Sequence, residues 1–270
     1  MPPPVAGSPL NQSKLSVPEN GPAIFFSSAE DRRPTRCCLT APAFVWLVGR
    51  VIRALIFDFD GLIIDTETPL IDALAAIHER AGYAYSRTSS LGLVGHVGIK
   101  FDPWTAFGPD ADRAALEKEH HHLYREMCGR QPILPGVLDT LNEAKSLGLR
   151  LGIASNSSHR HVNGHLARLG LLDLFDLIRC RDDVQRTKPE PDLYLAALAH
   201  FGCAPTEAIA FEDSAPGTVA ARTAGVWTVA VPNPSTHRHD FSSAHLVVQS
   251  LAAQPLAALI DRFTTGVSSC

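Results

Sequence analysis

The sequence predicts an α/β protein: a doubly wound, Rossmann-like parallel sheet core with a small helical cap. Three observations predict it. Short, continuous apolar runs recur along the chain, as in strands covered on both faces. Amphipathic segments that start at Ser or Pro and stop at Gly alternate with those runs. One long interval, residues 66–134, breaks the alternation and carries helical patterns only.

The elements follow in order. "RALIFDF" (53–59) is the first apolar run, "LRLGIAS" (149–155) the second, and "LFDLIRC" (174–180) a weaker third. "AIAFED" (208–213), "VWTVAV" (226–231) and an edge candidate, "HLVVQS" (245–250), complete the strands. Helices are expected in "GVLDTLNEAKSLG" (136–148), "SSHRHVNGHLARLG" (157–170), "PDLYLAALAHFG" (191–202) and "APGTVAARTAG" (215–225). Within the interval, "TPLIDALAAIHERAG" (68–82) and "DADRAALEKEHHHLYREMCG" (110–129) read as amphipathic helices joined by a Gly-rich loop. Residues 51–65 and 135–270 are thus expected to form the core, and 66–134 a cap inserted after the first strand. "DTETP" and "QPILPG" would be its hinges. Residues 1–50 are rich in Pro, Ser, Asn and Gly at their start and show no period, so they are expected to be disordered or a spurious extension.

Composition narrows the function. The net charge of −4, from 24 Lys and Arg against 28 Asp and Glu, gives no electrostatic case for nucleic acid or membrane surfaces. The six cysteines are scattered without metal or disulfide spacing, so a reducing, cytoplasmic setting is expected, an organelle-targeted N-terminus remaining open. The longest apolar run, "APAFVWLVG", is too short to span a bilayer.

The chemistry-bearing residues cluster at expected strand ends, where open parallel sheets bind ligands. The first strand runs into Asp58 and Asp60, the second into Ser155 and Asn156, and the fourth into Glu212 and Asp213. Lys188 follows the third, in "TKPEPDLY". Carboxylates, a hydroxyl and a lysine at one edge suit Mg2+ and a phosphoryl group, with hard oxygen ligands for the metal and donors for the phosphoryl oxygens. Asp58 and Asp60 are two apart in extended chain, so their side chains start on the same side. One can attack phosphorus, and the other can move a proton to the leaving oxygen and from water.

These positions resemble the haloacid-dehalogenase superfamily of phosphotransferases. "DFDGLIIDTE", "IASNS", "KPEPDLY" and "FEDSAPG" look like its four motifs, in its order and spacing. The resemblance implies that Asp58 is the nucleophile and Asp60 the general acid/base. It implies that Ser155, with Asn156 beside it, and Lys188 hold the phosphoryl group. Mg2+ would be held by Asp58, the Asp60 backbone carbonyl and Asp213, with Glu212 as ligand or support. The helical insert is similar to the small cap of the β-phosphoglucomutase-like branch. Family dehalogenases lack an acid two residues after the nucleophile, so Asp60 favours phosphoryl transfer.

The expected activity is hydrolysis of a small phosphomonoester, such as a sugar phosphate, by a monomer whose partner is a small phosphorylated metabolite, with no nucleic acid and no membrane. A β-phosphoglucomutase-type mutase is the alternative. "GHVGIKFD" stands where such mutases carry an Arg, which lowers that reading. A non-catalytic phosphometabolite sensor is the third reading. His96 and Lys100, in the Gly-rich cap loop, are candidates for substrate contact. Asp65 and Glu67 are expected to cap the first cap helix or brace the hinge. His120 to His122 are read as a solvated face, and His237 and His239 as solvated loop residues. His161 and His165, at i and i+4, are not expected to bind zinc without a nearby acid.

Overall fold

The computed structural model describes residues 51–87, 90 and 102–265. Six parallel strands form one sheet: β1 (Ala54–Phe57), β2 (Arg150–Ala154), β3 (Leu177–Arg179), β4 (Ala208–Glu212), β5 (Trp227–Ala230) and β6 (Leu246–Val247). Their order is β3-β2-β1-β4-β5-β6, so the direction of winding reverses between β1 and β4. All six apolar runs are strands, trimmed at their ends, and β6 lies at the expected edge.

Alternation along each strand sorts the core into two layers. Leu55, Phe57, Leu151, Ile153, Ile209 and Phe211 face one way. They pack on α3 (Val137–Ser146), α4 (His159–Leu169) and α7 (Leu256–Thr264). The ring of Phe57 stacks on Phe211 at 4.9 Å and meets Phe175 edge-on at 6.3 Å. Ala54, Ile56, Ala154, Ala208 and Ala210 face the other way, on α5 (Asp192–Phe201) and α6 (Ala215–Thr223). Both faces of β1 and β4 are therefore covered, which is why their sequences read as unbroken apolar runs. Helix α7 has no counterpart among the expected elements. Its Leu256, Leu259 and Phe263 sit at i, i+3 and i+7 and close one layer.

Within residues 66–134 the described chain contains α1 (Glu67–Arg80), a 3-10 turn at Thr105–Phe107 and α2 (Arg113–Cys128), with no strand among the described residues there. The two helices share a separate small core of Ile71, Leu74, Ile77 and the buried Trp104. Asp112 caps α2 by accepting from the Ala115 N–H. The Gly-rich loop with His96 and Lys100 lies outside the described residues. No helix among the described residues is long and apolar enough to cross a membrane.

Candidate active site

Strand register assembles the site. Phe57 pairs with Ile153 on one side and Phe211 on the other, so the residues just past these strands end up abreast. Asp58 extends the ladder by donating its N–H to the Phe211 carbonyl at 2.9 Å. The chain then turns sharply, with the Gly61 N–H on the Ile64 carbonyl. Gly61 has φ +76°, and a Cβ there would lie 2.3 Å from Asp213 Oδ2. Glycine is required for both reasons.

Lys188 joins the acids. Its Nζ lies 2.6 Å from Asp58 Oδ1 and 2.5 Å from Glu212 Oε1, with both carboxylates and the ammonium buried. Burial opposes its charge, but Asp58 and Glu212 outweigh burial and hold the ammonium protonated. Tyr194 O–H also donates to Glu212 Oε1. Glu212 Oε2 has no hydrogen-bond partner among the described residues and rests against Gly217, where a Cβ would come within 1.9 Å. For Asp58, burial first, with Glu212 and Asp60 adding to it against the pull of Lys188, pushes the carboxyl up to about 8. Asp213 is raised too, by burial and then by Asp58 and Glu67.

Asp60 is held differently. His161 Nε2 lies 2.8 Å from its Oδ1, Ser157 Oγ donates to its Oδ2 at 2.6 Å, and Ser155 Oγ reaches the same oxygen at 3.4 Å. Burial works to raise this carboxyl, and the bonds from His161 and Ser157 outweigh it, leaving it below the ordinary value. Two aspartates two residues apart thus have opposite proton affinities.

The acids Asp58, Asp60, Glu67 and Asp213 line one cavity of about 340 Å³ with Ser155, Asn156 and Lys188. Lys188 is the only basic side chain among its lining residues. The structure thus brings together Asp58, Asp60, Ser155, Asn156, Lys188 and Asp213 at the cavity, with Glu212 directly behind. Asn156 spends its amide on Lys188, accepting from its N–H at 2.9 Å and donating to its carbonyl at 3.1 Å. Asp65 accepts from the N–H groups of Glu67 and Thr68, a helix-capping role as expected. Glu67 does more than cap. It faces the cavity, and burial with the charge of Asp65 pushes its carboxyl up to about 7.

Sequence reasoning missed Asn233, which donates one amide to both Asp213 Oδ2 (2.8 Å) and the Gly61 carbonyl (3.0 Å). It also missed the partner of His161, which is Asp60. A signal was present: Ser157 and His161 are four apart at the start of a helix that follows a site strand, so they share the face toward the cavity.

Asp58, Glu212 and Asp213 each offer an oxygen within 4.8 Å of the others, the only such metal-competent cluster among the described residues. Three buried carboxylates face one ammonium, and two acid oxygens, Glu212 Oε2 and Glu67 Oε2, have no hydrogen-bond partner among the described residues. That surplus of hard oxygen donors fits a divalent cation such as Mg2+.

A family profile described as haloacid dehalogenase-like hydrolase matches residues 55–231. The chain is a haloacid dehalogenase-like hydrolase. This hydrolase is 39% identical over 219 residues to "Putative phosphatase YhcW" of Bacillus subtilis (strain 168), spanning 80% of this chain and 99% of the relative. It is 31% identical over 193 residues to hexitol phosphatase B of Escherichia coli (strain K12), spanning 68% of this chain and 86% of that one. Among solved structures, CbbY from Rhodobacter sphaeroides in complex with phosphate superposes with a TM-score of 0.62 at 27% identity, covering 77% of this chain and 99% of that one. The hydrolase is therefore an enzyme whose relatives are named as phosphatases.

Proposed function

We propose that the protein is a Mg2+-dependent phosphatase that hydrolyses a small phosphomonoester of sugar-phosphate type through an aspartyl-phosphate at Asp58. The observation that carries this reading is the contrast between Asp58 and Asp60. One is crowded among carboxylates beside Lys188, the other is held by His161 and Ser157, and both open on one cavity. Likeness to hexitol phosphatase B supports a phosphorylated sugar or polyol as substrate.

The chemistry needs both environments. A carboxylate oxygen of Asp58 attacks phosphorus, and the bond from phosphorus to the substrate alcohol breaks. Asp60 gives its proton to that leaving oxygen. A phosphoryl group arriving beside Asp60 brings negative charge, which raises its proton affinity from the resting low value. Water then attacks the aspartyl-phosphate, Asp60 takes its proton, and inorganic phosphate leaves. Lys188 and the Ser155 hydroxyl hold phosphoryl oxygens throughout, with Asn156 fixing the backbone that carries Lys188. Asp58, the Asp60 backbone carbonyl and Asp213 would hold Mg2+, with Glu212 as ligand or support. When bound it supplies the positive charge that keeps Asp58 ionised and offsets repulsion between its carboxylate and the phosphate.

Residues 66–134 act as a cap over this cavity in the proposed reading. Glu67, at the start of α1, already lines it. Hinge motion at residues 65–69 and 131–136 would exclude water during the first step, and His96 and Lys100 would contact the substrate. The test is phosphate release from a panel of sugar phosphates, nucleotides and p-nitrophenyl phosphate, with and without Mg2+, beside Asp58→Asn. Mg2+-dependent release that the substitution abolishes is expected. A folded, Mg2+-binding protein that releases phosphate from nothing, or that only moves it between hydroxyls of one sugar, overturns the reading.

A further inference from the structure

Asn233 stands outside the four motifs, in the loop "PNPST" (232–236) that follows β5. That loop fixes the orientation of its amide. Asn233 Oδ1 accepts from the N–H and the hydroxyl of Ser235, at 2.8 Å and 2.5 Å, and from the Thr236 N–H at 3.1 Å. The Asn233 N–H in turn donates to Thr236 Oγ1 at 3.1 Å, and both Ser235 and Thr236 are buried. With its oxygen claimed by these donors, the amide has one sense only, and Nδ2 is turned toward acceptors outside the loop.

Two acceptors meet it there. Nδ2 donates to Asp213 Oδ2 at 2.8 Å and to the Gly61 carbonyl at 3.0 Å. One side chain thus ties the loop after β5 to the two segments that carry the acids, the chain leaving β1 and the end of β4. Gly61 leaves the space for it. A Cβ at that position would lie 2.5 Å from Asn233 Nδ2 as well as 2.3 Å from Asp213 Oδ2. Asp213 is buried, lines the catalytic cavity and belongs to the metal-competent trio with Asp58 and Glu212. Its Oδ1 has no hydrogen bond among the described residues, so its two oxygens differ. One is taken by a neutral donor, and the other is available to a cation.

That asymmetry bears on which cation fits. Mg2+ is small and demands near-ideal octahedral geometry, whereas Ca2+ is larger, takes more oxygens and accepts both from one carboxylate. A carboxylate clamped at one oxygen suits the first ion and handicaps the second. A hydrogen bond to a ligating carboxylate also fixes its orientation before the ion arrives, and losing such a bond typically weakens metal binding by about 10- to 100-fold.

We propose that Asn233 is a positioning residue that selects the cation: by holding Asp213 Oδ2 it confines that carboxylate to one-oxygen ligation and favours Mg2+ over Ca2+. This inference rests on the Mg2+-dependent reading and names the residue that tunes the site.

The test is calorimetric titration of Mg2+ and of Ca2+ into the metal-free, full-length protein, without substrate. Two variants are compared with wild type. Asn233→Ala removes the amide. Asn233→Ser also removes it but keeps a hydroxyl that can accept from the loop N–H groups, so the turn survives. Both should raise the Mg2+ dissociation constant by about tenfold or more. Ca2+ binding should weaken less, shifting the ratio of the two constants toward Ca2+ by about threefold or more. A loss of folded protein lowers the number of sites and leaves that ratio unchanged. Mg2+ affinity within about twofold of wild type in both variants, or equal weakening for the two ions, overturns the proposal. A wild-type ratio in Asn233→Ser alone does so too, since the loop and not the amide would then set the preference. Phosphate release from p-nitrophenyl phosphate separates the two readings. Wild type that binds Mg2+ but releases no phosphate removes the phosphatase and keeps the role of Asn233, whereas wild type that binds neither ion removes both.

Discussion

Asn156 grips the backbone of Lys188 at both ends, accepting from its N–H at 2.9 Å and donating to its carbonyl at 3.1 Å. The Lys188 side chain then runs into the buried gap between Asp58 and Glu212. An exposed loop lysine would sample many rotamers; this one is aimed from the backbone outward. Asn156→Ala should lower kcat/KM by about ten- to a hundredfold, since two hydrogen bonds of about 1 kcal/mol each no longer fix the ammonium. Asn156→Asp, which keeps the acceptor and loses the donor, should fall between. Steady-state kinetics on the best substrate decides it: a change below about twofold would mean that the ion pairs alone aim Lys188.

Gly217 presents a case where helix propensity and space disagree. It sits in the first turn of α6, where Ala would normally stabilise by up to about 1 kcal/mol. A Cβ there would lie 1.9 Å from Glu212 Oε2, so the carboxylate or the helix must move. Gly217→Ala should therefore destabilise, by about 1–3 kcal/mol in urea unfolding, and lower activity by about a hundredfold as Glu212 shifts off Lys188. A variant more stable than wild type would show that the carboxylate gives way freely.

Much of this was legible because it is local. Continuous apolar runs marked β1 and β4 since both faces of each are covered. The serines that open "SSHRHVNGHLARLG" marked a helix start, and Ser158 accepts the expected backbone N–H. The strand-end acids were legible because parallel register places them abreast. What escaped comes from partners far apart in the chain. Asn233 reaches back 172 positions to Gly61, and no local pattern marks it. His161 and His165 have metal-like spacing, but the acid that claims His161 lies 101 positions earlier, on the chain leaving β1. Glu67 looked like a helix-start acid because it is one; only the tertiary fold turns it into the cavity.

Metal removal has a signed pH signature. The Asp58 carboxyl is raised to about 8, and its ordinary value is near 3.8. Between those values the folded, metal-free protein binds more protons there than the unfolded chain, so this residue's contribution to stability falls as pH rises. A divalent cation must displace that proton, so it binds more tightly at higher pH. Thermal melts in chelator and in excess Mg2+ should show a shift of several degrees near about pH 8 and a smaller one near about pH 6. A shift of equal size at both would place the cation away from Asp58.

His245 carries an acid-side prediction of the opposite slope. Its Nδ1 accepts from the Thr228 N–H at 2.9 Å, and its ring packs on Trp227 at 4.6 Å and Phe263 at 6.0 Å. Burial first, and then the Arg222 guanidinium, pushes its imidazole down to about 4. An unfolded histidine titrates near about 6.5. Between those values the unfolded chain binds the extra proton, so the stabilisation is complete above about 6.5 and drains away as pH falls toward 4. Protonation at Nδ1 would also cost Thr228 its acceptor, next to the β5–β6 edge of the sheet. Wild-type protein should lose several degrees of melting temperature between about pH 7 and about pH 5. His245→Asn, whose Oδ1 can still accept from Thr228, should melt lower at neutral pH and fall less steeply with acid. Parallel slopes for the two proteins would mean that His245 takes up its proton without leaving the Trp227–Phe263 pocket, and that the acid sensitivity resides elsewhere.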